Sequence, residues 1–176
     1  HLNRNQFEPW VICLYNGDGA LARQIKDLNI SIFDLGMTKK YRWDAFLKLW
    51  LLLKKIHPQI LHTWMFHANI PGRIVGRLAN IPIVISSERT MGQEGSFRRI
   101  TNRLTAYLAD AIICVSRTVL EFSKVRIGLP ASKLIQINNG IDFDAIDFSL
   151  DQVQARTQYG LPSTGFLIGA IGRPRP

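Results

Sequence analysis

Short apolar runs rich in β-branched residues recur along the chain at 10–15, 30–35, 59–63, 82–86, 111–115, 134–137 and 166–171. They are continuous rather than strictly alternating, which predicts strands covered on both faces, as in a parallel sheet. Between them lie segments with helical spacing, at 19–28, 43–56, 69–78, 97–108 and 116–125. Strand–helix–strand repetition implies right-handed crossovers, so the expected fold class is α/β: a doubly wound parallel sheet of Rossmann-like form. In 43–56 the positions Phe46, Leu49, Trp50, Leu53 and Ile56 follow the i, i+3, i+4, i+7 rule, and Asp44 lies one turn before Lys48. Leu47, Leu51 and Leu52 widen that face, which suits either a deeply packed helix or a surface that touches lipid. Pro58 ends the helix, and Ser116 is the expected N-cap of the helix after the strand that Asp110 opens.

The pattern changes after position 137. The stretch 138–150 is acidic, carries no positive charge and contains the turn-forming Asn138-Asn139-Gly140. A short helical stretch at 151–159, the breaker Gly160-Leu161-Pro162 and a new apolar strand at 165–172 follow. A buried-type strand with no helix to cover it predicts the first piece of a further domain. The expected organisation is a domain over 1–150, a linker over 151–164 and that strand over 165–176, in a chain cut at both ends.

With 176 residues there is room for one ordinary domain and its core. Apolar residues make up 47% and charged ones 20%, which excludes wholesale disorder. The net charge of +9 is unevenly spread: residues 39–133 carry 16 basic and 5 acidic side chains, a net of +11. Such a field favours an anionic partner, whether a phosphorylated substrate, an anionic membrane surface or nucleic acid. The longest apolar stretch, 45–53, is broken by Lys48 and falls far short of the ~20 residues of a membrane span. Cys13 and Cys114 lie inside apolar runs and read as buried thiols, so the expected location is cytoplasmic.

Three constellations are candidates for chemistry. The first is Gly17-Asp18-Gly19-Ala20-Leu21-Ala22 after a strand, with Asp34 ending the next strand. This matches the order of a dinucleotide fingerprint and admits an NAD(P)-dependent oxidoreductase, although an ordinary strand-to-helix turn has the same glycines. The second is His67, between a strand's carboxyl end and the next helix, where open α/β sheets bind ligands. His57 reads as a solvated helix end and His62 as a core histidine; His62 and His67, five apart across a strand-to-loop change, lack metal-ligand spacing, and with both cysteines reading as buried no metal site is expected. The third is the polar loop from Ser86 to Gly95, where Arg89 supplies a donor fork for phosphate or carboxylate and Glu88 an acceptor for sugar-type hydroxyls. Beyond it Arg98, Arg99 and Arg103 form either a solvated basic face or a lipid or phosphate contact. No nucleophile elbow, Walker loop or zinc signature is present. RNA-binding aromatic motifs are lacking too, so no nucleic-acid partner is expected for the main reading, and a basic module that binds nucleic acid or an anionic surface is the non-catalytic alternative.

Five segments, in order, resemble family 4 retaining glycosyltransferases of the two-Rossmann GT-B architecture. They are ILHTWMFHANIPGRIVGRLA at 60–79, IPIVIS at 81–86, ADAIICVS at 109–116, INNGID at 137–142 and IGAIGR at 168–173. The resemblance implies an amino-terminal, acceptor-side domain followed by the opening strand of a donor-binding domain. It implies transfer of a sugar from a nucleotide-sugar donor to a glycan or lipid-linked acceptor, with retention and without a metal or other cofactor. His67, Asn69, Glu88 and Arg89 would line the acceptor-side cleft, and Arg173 would meet the donor diphosphate. Glu88-Arg89 stand where many members carry a histidine, and the family's glycine-rich first loop, paired glutamates and phosphate-binding lysine are absent from 1–176. The catalytic residues are accordingly expected beyond Pro176. The resemblance thus implies that these residues alone do not transfer sugar, and it admits a peripheral location on the inner membrane face.

Overall fold

A computed structural model describes residues 2–37, 43–91, 95–143 and 149–169. The elements follow the expected alternation: β1 (Trp10–Cys13), α1 (Ala20–Asp27), β2 (Ser31–Asp34), α2 (Trp43–Ile56), β3 (Ile60–Trp64), α3 (Phe66–Leu78), β4 (Ile83–Glu88), α4 (Ser96–Ala106), β5 (Ala111–Cys114), α5 (Arg117–Phe122), β6 (Leu134–Gln136) and α6 (Gln152–Gln158). A π-helical turn, Ser123–Ile127, continues α5 and ends at Gly128, whose φ of 77° suits a residue without a Cβ. Ser116 caps α5 as expected, accepting the Val119 N–H at 3.2 Å.

All strand pairs are parallel, in the orders β1-β2 and β3-β4-β5-β6. One apolar cluster joins the two sheets: Leu35, Leu49, Leu53, Val75, Ile81 and Val84 are buried, with Ile12, Leu14 and Leu61 packed against them. A second cluster, Ala106, Ala109, Ile112, Ile127 and Leu129, lies under α4 and the π turn. Helix α3 sits close on the sheet because two of its residues have no side chain. A Cβ at Gly72 would overlap Thr63 Cγ2, and one at Gly76 would come within 2.9 Å of Leu61 Cδ2.

The chain divides into two compact units, 1–139 and 140–176. In the second, Asp151 and Gln154 form a capping box on α6, and Arg156 donates to the carbonyls of Pro162 (2.5 Å) and Gly165 (2.8 Å). The strand expected at 165–172 differs: residues 166–169 pair with no strand among the described residues, and Phe166 and Ile168 stand fully exposed. The remainder of the segment expected to open a further domain, from 170 to Pro176, lies outside the described residues. Cys114 is buried, whereas Cys13 is only half-buried because β1 is incompletely covered.

A polar knot runs through the first unit between β3, β4, α3 and α4. Arg73, 0% exposed, faces Glu88, 4% exposed, at 3.4 Å. Its Nε donates to Ser86 Oγ (2.8 Å) and its Nη1 to Asn102 Oδ1 (2.6 Å). Glu88 Oε1 also accepts from Asn69 Nδ2 (3.2 Å) and Asn102 Nδ2 (3.1 Å), and Thr63 Oγ1 donates to Asn69 Oδ1 (2.8 Å). Removing one ion from such a pair strands the other in a dry site. Arg73→Met is therefore expected to lower stability by about 3–5 kcal/mol, read as a shifted urea midpoint, and a loss under ~1 kcal/mol would mean the knot is a bystander.

Candidate functional site

Strands β3, β4, β5 and β6 end together at Trp64, Glu88, Cys114 and Gln136, and this carboxyl rim is where open α/β sheets bind ligands. Chain direction decides what reaches it. Glu88 turns inward into the knot, and Arg89, just past the strand's end, is exposed and donates from Nη2 to Asn139 Oδ1 at 2.7 Å. Met65, with a φ of 71°, turns the chain sharply into α3, which leaves the Trp64 indole 58% exposed. Trp64 Nε1 donates to His62 Nε2 at 3.0 Å, and Ser87 Oγ lies 2.8 Å from the same nitrogen. A nitrogen that accepts from an indole N–H carries no proton, so His62 is neutral here. Lost hydration first, and the Arg89 charge second, hold its pKa below the usual histidine value.

Helix α3 starts three residues earlier than its periodicity suggests, so His67 lies in its first turn rather than in a loop. His67 is exposed, its ring 5.6 Å from that of Phe66 and its Nε2 3.5 Å from Arg98 Nη2. Arg98 also lies over the Phe66 face, 5.3 Å from the ring centre. Below them a cleft of about 100 Å³ is lined by Met37, Phe46, Phe66, His67, Ile70, Pro71, Phe97 and Thr101. Its wall is mostly apolar, with the imidazole of His67 and the Thr101 hydroxyl among the few polar groups.

The four expected cleft residues therefore part company. His67 and Arg89 are exposed at the rim, whereas Asn69 and Glu88 are buried and spent on the knot beneath it, because the rotation of α3 and the pleat of β4 turn them inward. Trp64 and Asn139 join the rim unforeseen. A tryptophan closing an otherwise aliphatic strand was the available signal for the first, and nothing local distinguished the second from a turn residue. Arg173 lies outside the described residues, as does Pro176, past which the resemblance puts the catalytic groups.

The glycine loop has a structural explanation. Asp34 accepts the N–H groups of Gly17 and Gly36, each at 2.7 Å, and a Cβ at Gly17 would come within 2.7 Å of Asp34 Cβ. Those two backbone donors hold the Asp34 carboxyl below its usual range. The acid that a ribose would need is thus tied to the loop itself.

Residues 1–145 match the family model described as Glycosyltransferase Family 4. A curated relative, the UDP-Gal:alpha-D-GlcNAc-diphosphoundecaprenol alpha-1,3-galactosyltransferase of Escherichia coli, is 24% identical over 140 residues, which is 75% of this chain and 36% of that protein. Among solved structures, a glycosyltransferase from Rickettsia africae ESF-5 superposes with a TM-score of 0.70 at 13% identity, over 90% of this chain and 43% of that one. Anabaena Alr3699/HepE, solved with UDP, does so at 0.65 and 18% identity, over 86% and 42%. The chain thus spans well under half the length of each.

Acidification tests the rim's electrostatics. Because the folded pKa of His62 is depressed, the fold favours the neutral ring; its contribution is complete above the unfolded value of 6.5 and is lost as pH falls through the folded value. Imidazole NMR is expected to give a midpoint below 6.5 that rises in Arg89→Gln, and an unmoved midpoint would remove Arg89 from the His62 environment.

Proposed function

The chain belongs to Glycosyltransferase Family 4, and from that membership we propose that it forms the acceptor-side domain of an enzyme moving a sugar, with retention, from a nucleotide-sugar donor to a glycan or lipid-linked acceptor. The fold is the Rossmann-like domain of the GT-B architecture. The observation that carries the reading is the rim made by Trp64, Arg89, Asn139 and His67. An exposed indole offers a flat face to a sugar ring, and the Arg89 fork offers two parallel donors to a phosphate or hydroxyl pair. Asn69 and Glu88 act from beneath, by fixing where α3 and β4 present His67 and Arg89.

The names of the relatives support the chemistry. The bacterial galactosyltransferase is named for a UDP-galactose donor and a diphosphoundecaprenol-linked acceptor, and HepE was solved with UDP and with UDP and glucose. In such a transfer the acceptor oxygen bonds to the anomeric carbon while the bond from that carbon to the diphosphate oxygen breaks. Negative charge then gathers on the departing nucleoside diphosphate, where a fixed cation lowers the barrier. Arg173 is the proposed cation. The chemistry needs no cofactor, and its proposed place is cytoplasmic, with a peripheral position on the inner face of the membrane where a lipid-linked acceptor lies.

In the enzyme that carries this chain, Trp64→Ala and Arg89→Ala are expected to lower kcat/KM for the acceptor by about 10- to 100-fold, or ~1.4–2.7 kcal/mol, and to leave the donor KM unchanged. Unaltered acceptor kinetics in both variants would remove the rim from acceptor binding, and an inverted anomeric signal in product NMR would overturn retention. Residues 1–176 alone are expected to transfer no labelled sugar.

A further inference from the structure

Asparagine is followed by glycine twice in the chain, at Asn16-Gly17 and at Asn139-Gly140. The dipeptide is chemically labile, because glycine has no Cβ to keep its backbone nitrogen away from the preceding side-chain amide. The structure treats the two copies differently. Gly17 is buried, and its N–H donates to Asp34 Oδ2 at 2.7 Å. Asn16 is held with a φ of 62°, and its carbonyl accepts the Gly19 N–H at 3.3 Å. Its side-chain amide packs on Gly19, where a Cβ would come within 2.9 Å of Asn16 Nδ2. The Gly17 nitrogen is thus pinned and cannot turn toward that amide. At Asn139-Gly140 both residues are exposed, neither lies in a helix or strand, and the Gly140 N–H has no acceptor among the described residues. A Cβ at Gly140 would meet nothing within 4 Å, so the nitrogen is uncrowded. Arg89 Nη2 donates to Asn139 Oδ1 at 2.7 Å, which draws electrons from the amide carbon and would steady the oxyanion formed when that carbon is attacked.

From this contrast we infer that Asn139, and not Asn16, is a site of spontaneous deamidation, and that its conversion sets a carboxylate against Arg89. The Gly140 nitrogen gives its proton to solvent base and bonds to Asn139 Cγ. The Cγ–Nδ2 bond then breaks, and ammonia leaves with a proton taken from solvent. Water opens the resulting cyclic imide at one carbonyl or the other, to give aspartate or isoaspartate. One water enters, one ammonia departs, and no oxidant or cofactor takes part. The neutral oxygen that Arg89 now holds becomes part of an anion, and the guanidinium at the rim is neutralised. Its fork is then less available to a phosphate or hydroxyl pair. That consequence rests on the acceptor-side reading of the rim, whereas the modification itself does not.

Peptide mass spectrometry of the folded chain, after incubation in mildly alkaline buffer, reads both sites in one sample. Asn139 is expected to convert at least about 10-fold faster than Asn16, because reaction at Asn16 waits on local opening of the Gly17 bond. In urea the two rates are expected to converge, since the dipeptides are the same and only the fold separates them. Isoaspartyl methyltransferase is expected to label the Asn139 peptide of the folded sample. Arg89→Gln is expected to slow Asn139 several-fold, and Asp34→Ala to speed Asn16; the unsubstituted chain decides should either variant unfold. Rates that already match in the folded chain would overturn the assignment, and so would an Asn139 that stays intact. In the enzyme that carries this chain, Asn139→Asp is expected to lower kcat/KM for the acceptor about 3- to 5-fold. Unchanged acceptor kinetics there, with Arg89→Ala impaired, would overturn the charge consequence and leave the acceptor reading intact. Unchanged kinetics in both would overturn that reading and the consequence with it, while the modification is judged by mass alone.

Discussion

The buried pair of Arg73 and Glu88 constrains everything built around it. Two ions inside a domain are tolerated only when nearly every donor and acceptor finds a partner, since stripping their water costs several kcal/mol each. Here the direct partners come from three elements, Ser86 on β4, Asn69 on α3 and Asn102 on α4, and Thr63 on β3 in turn bonds Asn69 and Ser86. Satisfying them together leaves little freedom in the rotation of either helix about its axis or in the height of β3 against β4. The bare positions Gly72 and Gly76 bring α3 near enough for the network to close. In this region, the polar interior sets the geometry that apolar packing then fills.

That constraint reaches the rim through the end of β4 and the turn of α3. Strand β4 is buried on both faces through Ser86, Ser87 and Glu88, and Arg89 is exposed because it lies just past the strand's end. On α3, Asn69 and Arg73 are one turn apart and both face the knot, which puts His67, two residues before Asn69, on the other side of the helix. The exposed groups of the candidate site are therefore the complement of the buried ones. Nearby, Trp64 gives its only donor to His62, and the resulting pair sits under the charge of Arg89.

The burial pattern of each element explains what could be read in advance. The order of strands and helices was legible because a parallel sheet writes its burial into each short run, and α2 matches its periodicity end to end at Trp43–Ile56. Family membership was legible for a different reason: five segments, at 60–79, 81–86, 109–116, 137–142 and 168–173, resemble the family's together and in order, though each alone is weak. The identity of the exposed polar residues was not legible. Whether Glu88 or Arg89 faces solvent depends on where β4 lies against α3 and α4, a matter of tertiary register that carries no local signal. Neither His67 nor Asn69 announces its side of a helix whose start, at Phe66, precedes its apolar period. The apolar run at 165–172 shows the converse failure: hydrophobicity promises a strand, but a strand also requires a neighbour, and 166–169 have none among the described residues.

Helix α4 shows how far one buried charge can act. Its residues have the spacing of an ordinary amphipathic helix, and periodicity alone would turn Phe97, Ile100 and Leu104 toward the core. Two forces compete over that rotation. Burying three large apolar side chains would gain roughly 1.5–3 kcal/mol each. Turning them in would take Asn102 and Thr105 out and leave Arg73 and Glu88 without Asn102. Uncompensated charge in a dry site costs about 3–5 kcal/mol, and orphaned hydrogen-bonding groups add about 1–3 kcal/mol each. The two sums are comparable, and the asparagine fits its partners at 2.6 and 3.1 Å. The polar face therefore wins the interior and the apolar face is left outside. The outward stripe is thus no accident of a loose surface: it is the cost of the charge pair that positions the rim.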